Sequence, residues 1–260
     1  MKRLFKFMAF AALGAGATTN SGLAADFASE YSISIIGINI GKSEFKTSIN
    51  DNQYKISGSL NASGIATVFT STTGSLTASG KLNNDKVLAT AFDVKYKDGG
   101  KSKRTTLGFS GGNVTKISNT PKPKKKGKWV EVQKSHLNDV LDPMAAILVP
   151  AKSFQDVCNN TLKIFDGEMR ADFPMRYLRT IPFSAQGYSG DAVTCRASFK
   201  PISGYDANKK DINWMRDSGR IEISFAPVGN TGYFAPVAAK IKTRIGMANI
   251  RANRFEALTK

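Results

Sequence analysis

The sequence predicts an all-β protein built on one strongly curved antiparallel sheet that either closes into a barrel or wraps as a half-barrel or spiral. Three observations carry the prediction. Apolar and polar residues alternate with period two over most of the chain, which is the pattern of half-buried strands. The alternating runs are joined by turn-forming clusters such as Asn50-Asp51-Asn52, Asn83-Asn84-Asp85 and Asp98-Gly99-Gly100, so consecutive strands pair as hairpins. One short helix is signalled between them, where Asp142 reads as N-cap and Pro143 as the first residue of the run Met144–Leu148.

The first 25 residues are set apart from this pattern. Lys2, Arg3 and Lys6 form a positive n-region, Phe7–Ala17 is apolar and small, and Leu23-Ala24-Ala25 offers a cleavage site before Asp26. This is the signal-peptide pattern, and the apolar run is too short to span a bilayer; a retained anchor is the alternative. No cysteine lies near the site, which argues against a lipid anchor. Removing Lys2, Arg3 and Lys6 from a formal net charge of +17 leaves +14 on the mature chain. The expected organisation is therefore a signal peptide over 1–25 and a single curved β domain over 26–260, periplasmic and soluble after cleavage. Length alone would also allow two small domains.

From Asp26 onward, Tyr31, Ile33 and Ile35 share one face and Ile36, Ile38 and Ile40 the other. The change near Gly37 suggests a bulge or a strand buried on both sides. Phe45, Thr47 and Ile49 lead to the turn at 50–52, and Tyr54, Ile56, Gly58 and Leu60 return on the core side. Residues 61–75 break the alternation and read as a crossing segment with a helical turn around Ala66–Phe69. Leu76–Leu82 and Val87–Lys97 form the next hairpin, with Leu88, Thr90, Phe92, Val94 and Tyr96 toward the core. Lys101–Phe109 and Val114–Ile117 extend the meander. Residues 119–128 are basic and proline-containing with no apolar side chain, either a solvated excursion or an anion-binding loop.

Asp166-Gly167, between Leu162–Phe165 and Glu168–Phe173, suits a type I′ hairpin turn. Met175–Ser184 and Gly190–Pro201 read as the next hairpin. Gly204–Gly219 reads as polar and irregular, with Trp214 and Met215 as a packing patch. Ile221, Ile223 and Phe225 then alternate, as do Val237, Ala239 and Ile241, and a closing strand runs through Ile250 with 255–260 frayed.

Export makes the cysteines interpretable. Cys158 and Cys195 are the only two, and in an oxidising compartment they are expected to form one disulfide. Catalytic and metal signals are missing. The single histidine, His136, has no accompanying nucleophile motif, and Asp142, Asp166 and Asp172 have local roles as cap, turn and strand surface. No HExxH, phosphate-cradling or EF-hand pattern occurs. No enzyme, cofactor or metal is therefore expected. The basic surplus points away from nucleic acid, which an exported protein seldom meets, and toward anionic envelope surfaces; general surface charge for solubility is the alternative. The candidate anionic-surface contacts are Lys122, Lys124, Lys125, Lys126 and Lys128 in the loop, and Lys240, Lys242 and Arg244 near the C-terminal end.

Several longer stretches together resemble the bacterial family known as domain of unknown function 3108. They are HLNDVLDPMAAIL at 136–148, Cys158 followed by LKIFDGEMRADF, Cys195 followed a few residues later by KPISGY, and YSISIIGINIGKSEFKTSI with the later TSTTGSLTASG. The resemblance implies an envelope protein of Gram-negative bacteria with a curved sheet similar to the half-barrel or spiral lipoprotein carriers, and no activity, cofactor or catalytic residue. The expected function is non-enzymatic. A lipid, lipoprotein or peptide segment would be held in the concave face, supporting envelope integrity. The alternative is an interaction protein docking its basic surface onto an acidic envelope partner.

Overall fold

The computed structural model describes residues 25–50, 52–62, 73–83, 85–98 and 100–258. The expected signal peptide up to Ala24 and the helical turn expected around Ala66–Phe69 lie outside these residues. Seven antiparallel strands open the fold as a meander: β1 (Ala25–Ile35), β2 (Ile38–Asn50), β3 (Gln53–Ala62), β4 (Thr73–Asn83), β5 (Lys86–Asp98), β6 (Lys101–Ser110) and β7 (Asn113–Thr120). Short elements follow: β8 (Trp129–Val130), a 3-10 turn at Lys134–Leu137, another at Ala145–Ile147, β9 (Val149–Pro150) and α1 (Phe154–Val157). The second half contains β10 (Thr161–Phe165), β11 (Arg170–Ala185), β12 (Tyr188–Ala197), β13 (Lys200–Ser203), β14 (Tyr205–Asp206), α2 (Lys210–Ser218), β15 (Arg220–Pro227), β16 (Tyr233–Thr243) and β17 (Gly246–Leu258).

One sheet takes in all strands except β8 and β14, which pair with each other. Its order is β10-β11-β12-β15-β16-β17-β1-β2-β3-β4-β5-β6-β7, with β13 on β11 and β9 on β16. The last strand thus pairs with the first, and the two halves of the chain make one continuous surface. The sheet is not closed by a ladder, but it is curled. Ile223 on β15 and Val94 on β5 line the same cavity although seven strand spacings separate them in the order, about 33 Å in a flat sheet. The two edges also meet: the Asn119 amide on β7 donates to the Gly167 carbonyl in the β10–β11 turn at 2.8 Å.

Three apolar clusters fill the curl. Tyr54, Ile56, Phe92 and Leu107 pack against Val140, Met144 and Leu148. Phe27, Tyr31, Val237 and Phe255 form a second, with the Phe27 and Phe255 rings edge-on at 4.4 Å. The third surrounds the Cys158–Cys195 disulfide, whose Cα atoms are 5.4 Å apart and whose cysteines are fully buried among Val157, Val193 and Phe225. Cys158 ends α1 and is not on a strand.

Several expectations are corrected at this level. The change of face near Gly37 is neither a bulge nor a doubly buried strand but a two-residue hairpin turn, with Ile36 at φ 52° and Gly37 at φ 78°, as a type I′ turn requires. Leu88 and Thr90 do not face the core. The register shifts opposite Ser79/Gly80, so Val87 and Ala89 are buried with Phe92, and Thr90 turns outward to donate to the Ser79 carbonyl. The Asp166-Gly167 turn is not type I′: its tip is Gly167-Glu168, only Gly167 has positive φ (101°), and Asp166 accepts from the Glu168 and Met169 amides at 2.8 and 2.7 Å. The helix expected after Pro143 is a single 3-10 turn. The longer helix is α2, inside the segment read as irregular; Ile212 and Met215 on it pack against the disulfide cluster. Residues 255–258 do not fray but pair with Asp26–Ser29, and Phe255 is buried.

Candidate functional site

The inner face of the curl encloses a cavity of about 550 Å³, within the range of small-molecule sites. One wall comes from β1–β5, the other from β15–β17, and Met144 and Ile147 form the floor. The sequence creates the space by placing small residues at inward positions. Ser43, Gly58 and Gly74 leave room, while Ile33, Leu60, Leu76 and Val94 project around it. At Gly58 a β-carbon would come within 2.3 Å of the Phe45 ring, so glycine is what allows that ring to lie flat against β3. Ile223, Ile241 and Ile250 supply the opposite wall.

The wall is apolar, with Tyr31, Phe45 and Tyr96 among mostly aliphatic side chains, and its main polar group is already satisfied. The buried Tyr31 hydroxyl donates to the Pro236 carbonyl at 2.7 Å, and desolvation pushes its phenol up to about 12, so it stays neutral. Among the described residues the wall carries no carboxylate, amine or imidazole, so the cavity is suited to holding an aliphatic chain. Burial supplies about 0.8 kcal/mol per methylene.

All eight candidate surface cations are exposed. Lys122, Lys124, Lys125, Lys126 and Lys128 follow β7; Lys240 and Lys242 lie on the outer face of β16, with Arg244 at its end. The loop is tethered, since Lys125 Nζ meets Glu131 at 2.6 Å and the Lys128 amide donates to Asp206 at 2.9 Å. Arg244 pairs with Asp211 at 2.6 Å. The two groups leave strands eight positions apart in the sheet order.

Asp142 lies below the cavity floor and is completely buried. Its Oδ1 accepts from the Met144 and Ala145 amides at 2.8 and 2.9 Å, so it caps the 3-10 turn as expected. Burial outweighs these bonds and pushes the carboxyl up to about 6. Among the described residues, neither its Oδ2 nor the nearby Tyr54 hydroxyl, both buried, has a hydrogen-bond partner, and the Asp142 charge adds to the desolvation that raises the Tyr54 phenol. His136 Nδ1 accepts from the Gln133 amide at 3.2 Å, a local structural role. Among the described residues no group of three or more His, Cys, Asp or Glu side chains could hold a metal ion, and no helix is long and apolar enough to cross a membrane.

Comparison with known proteins gives three findings. The model of a family described as "Protein of unknown function (DUF3108)" matches residues 30–252. No curated protein matches the chain. Among solved structures, the chain is similar to a beta-barrel-like protein of domain of unknown function DUF1849 from Brucella abortus. That likeness has a TM-score of 0.53 at 8% identity and covers 92% of this chain and 100% of the other. A putative lipoprotein from Parabacteroides distasonis gives a TM-score of 0.31 at 7% identity, covering 88% and 94%.

Proposed function

The chain belongs to the DUF3108 family, and from that premise we propose that it is an exported, non-enzymatic envelope protein that holds the aliphatic part of a lipid or lipid-modified polypeptide. The cavity between β1–β5 and β15–β17 carries the reading. A bare peptide segment is the poorer occupant, because its backbone N–H and C=O groups would enter an apolar wall that, among the described residues, offers little to pair them. An acyl chain brings no such groups. Export is supported by the pattern of residues 1–25 and by a buried disulfide, which belongs to an oxidising compartment. The cellular role that follows is support of envelope integrity.

Native mass spectrometry after mild purification tests the binding step. A co-purifying adduct that organic solvent extracts as a lipid is the expected result. A protein that carries no adduct and takes up no fluorescent fatty acid overturns the reading. A second reading, docking of the basic loop on an acidic partner, is favoured by one observation: among the described residues Lys122, Lys124 and Lys126 are exposed and make no ion pair. Crosslinking in intact cells separates the two, since only the second demands one dominant protein adduct.

A further inference from the structure

The β1–β2 and β16–β17 hairpins end side by side, because β17 pairs with β1 and the Ile36 amide donates to the Met247 carbonyl at 2.9 Å. Their tips expose four large aliphatic side chains: Ile36 (66%), Ile245 (63%), Ile38 (47%) and Met247 (42%). Ile36 is the most informative. It is β-branched, exposed and held at φ 52°, a conformation that favours Asn, Asp or Gly and penalises Ile. Folding gains little from isoleucine there, and strain of this kind accumulates at functional positions.

The tips are continuous with the cavity. Ile38 pairs with Ile35, Ile35 with Ala248, and Ala248 with Ile241. Cross-strand partners share a face, and Ile241 lines the cavity, so an apolar row leads from the exposed tips inward. On the opposite face stand Lys42, Arg220, Lys240 and Lys242, all exposed and, among the described residues, without an ion pair.

We propose that this end of the sheet docks onto an anionic phospholipid membrane, the two hairpin tips entering the acyl boundary and the lysines meeting lipid phosphates, so that the cavity receives its chain along the Ile38–Ile241 row. The proposal rests on the lipid-binding reading above. Charge decides between occupants: lysine is depleted at protein–protein interfaces, whereas a cationic collar around aliphatic side chains matches an anionic bilayer surface.

Co-sedimentation with vesicles tests it, using phosphatidylcholine alone and phosphatidylcholine with phosphatidylglycerol in equal parts. The full mature chain is expected to bind the mixed vesicles and to be released by salt. Ile36→Asn combined with Ile245→Asn should weaken that binding at least about tenfold, and Lys240→Gln about fivefold. Ile36→Asn alone should melt no lower than the parent, which excludes misfolding as the cause. The double variant should keep its affinity for a soluble fluorescent fatty acid, while Ala239→Phe, which fills the cavity, should lose the fatty acid and keep the vesicles. The two readings can therefore fail separately. Equal binding to both vesicle types, or undiminished binding by the double variant, overturns the docking proposal. So does a parent chain that ignores vesicles and forms a dimer that the double variant dissolves.

Discussion

Replacing Asp142 with asparagine isolates the cost of burying a carboxylate beneath the cavity floor. Asparagine keeps an oxygen for the Met144 and Ala145 amides but carries no charge. The folded-state carboxyl is pushed up to about 6 from an ordinary value of 3.8, so the folded protein holds this proton more tightly than the unfolded chain does. Stability from this group is therefore complete below the ordinary value, falls as pH rises toward about 6, and stays constant above it. The difference converts to about 3 kcal/mol, of which about 2 kcal/mol is lost between roughly pH 4 and pH 7. At neutral pH D142N removes that penalty but buries an amide N–H₂, which costs about 1–3 kcal/mol unless it finds the Tyr54 oxygen. Near-equal or higher stability than the parent is expected. D142A, which strips both capping bonds, should be less stable than D142N by about 1–2 kcal/mol. Urea unfolding followed by the fluorescence of Trp129 and Trp214 measures all three chains. The parent-minus-D142N difference must shift by about 2 kcal/mol across that pH window. A difference that stays flat with pH, or a D142N protein no more stable than D142A, refutes the reasoning.

Three further outcomes are expected. Tyr54→Phe removes a buried hydroxyl without a partner and should be neutral or stabilising by about 1 kcal/mol in urea; a clear loss would mean that the hydroxyl is paired in solution. Replacing Cys158 and Cys195 with alanine opens a link across 37 residues and should cost about 2–4 kcal/mol, read as a lower urea midpoint with the far-UV β signal retained. Asn119→Ala deletes the bond from β7 to the Gly167 carbonyl; hydrogen exchange should accelerate at Leu141 and Phe165, and unchanged protection there would show that the two sheet edges hold together without it.

The strands were legible because period two and turn chemistry agree along the chain, and the disulfide because only two cysteines occur in a chain whose first 25 residues read as an export signal. What the residues concealed has specific physical causes. Thr90 sits in a bulge, and one inserted residue exchanges the faces of Leu88 and Ala89 without altering local hydropathy. Ile36 occupies a turn position that sequence rules assign to Asn or Gly, so a hairpin looked like a strand defect. Helix α2 follows Lys209, an N-cap that makes no side-chain cap bond, and its apolar face is little more than Ile212 and Met215. The cavity was least accessible of all. Ile33, Leu60, Val94 and Ile241 alternate like any inward residue; that they surround space depends on Gly58 and Gly74 and on how far the sheet curls. The basic clusters were visible, but not that Lys240 and Lys242 stand behind exposed hairpin tips.

A sheet with two unpaired edges is an invitation to association, and here the edges are occupied by a segment that is not itself a strand. The Val140 amide donates to the Gly112 carbonyl, the Leu141 amide to the Lys163 carbonyl, and the Phe165 amide back to the Leu141 carbonyl. Residues 139–141 thereby fill the seam between the β6–β7 turn and β10. The chain must then leave the seam and enter the core, where every amide needs a partner. Pro143 has none to satisfy, and Asp142 accepts from the next two, so the turn can be buried. Met144 and Ile147 emerge from it directly into the cavity floor. Seam, buried turn and floor are thus one stretch of nine residues, and the position of the floor is fixed by the pairing of the edges. The turn requires the capping oxygen but not the charge, because Oδ2, the atom that distinguishes aspartate from asparagine, has no partner. The ionisation of Asp142 is therefore separable from the architecture it caps, which is why its removal should change the pH dependence of stability and leave the fold in place.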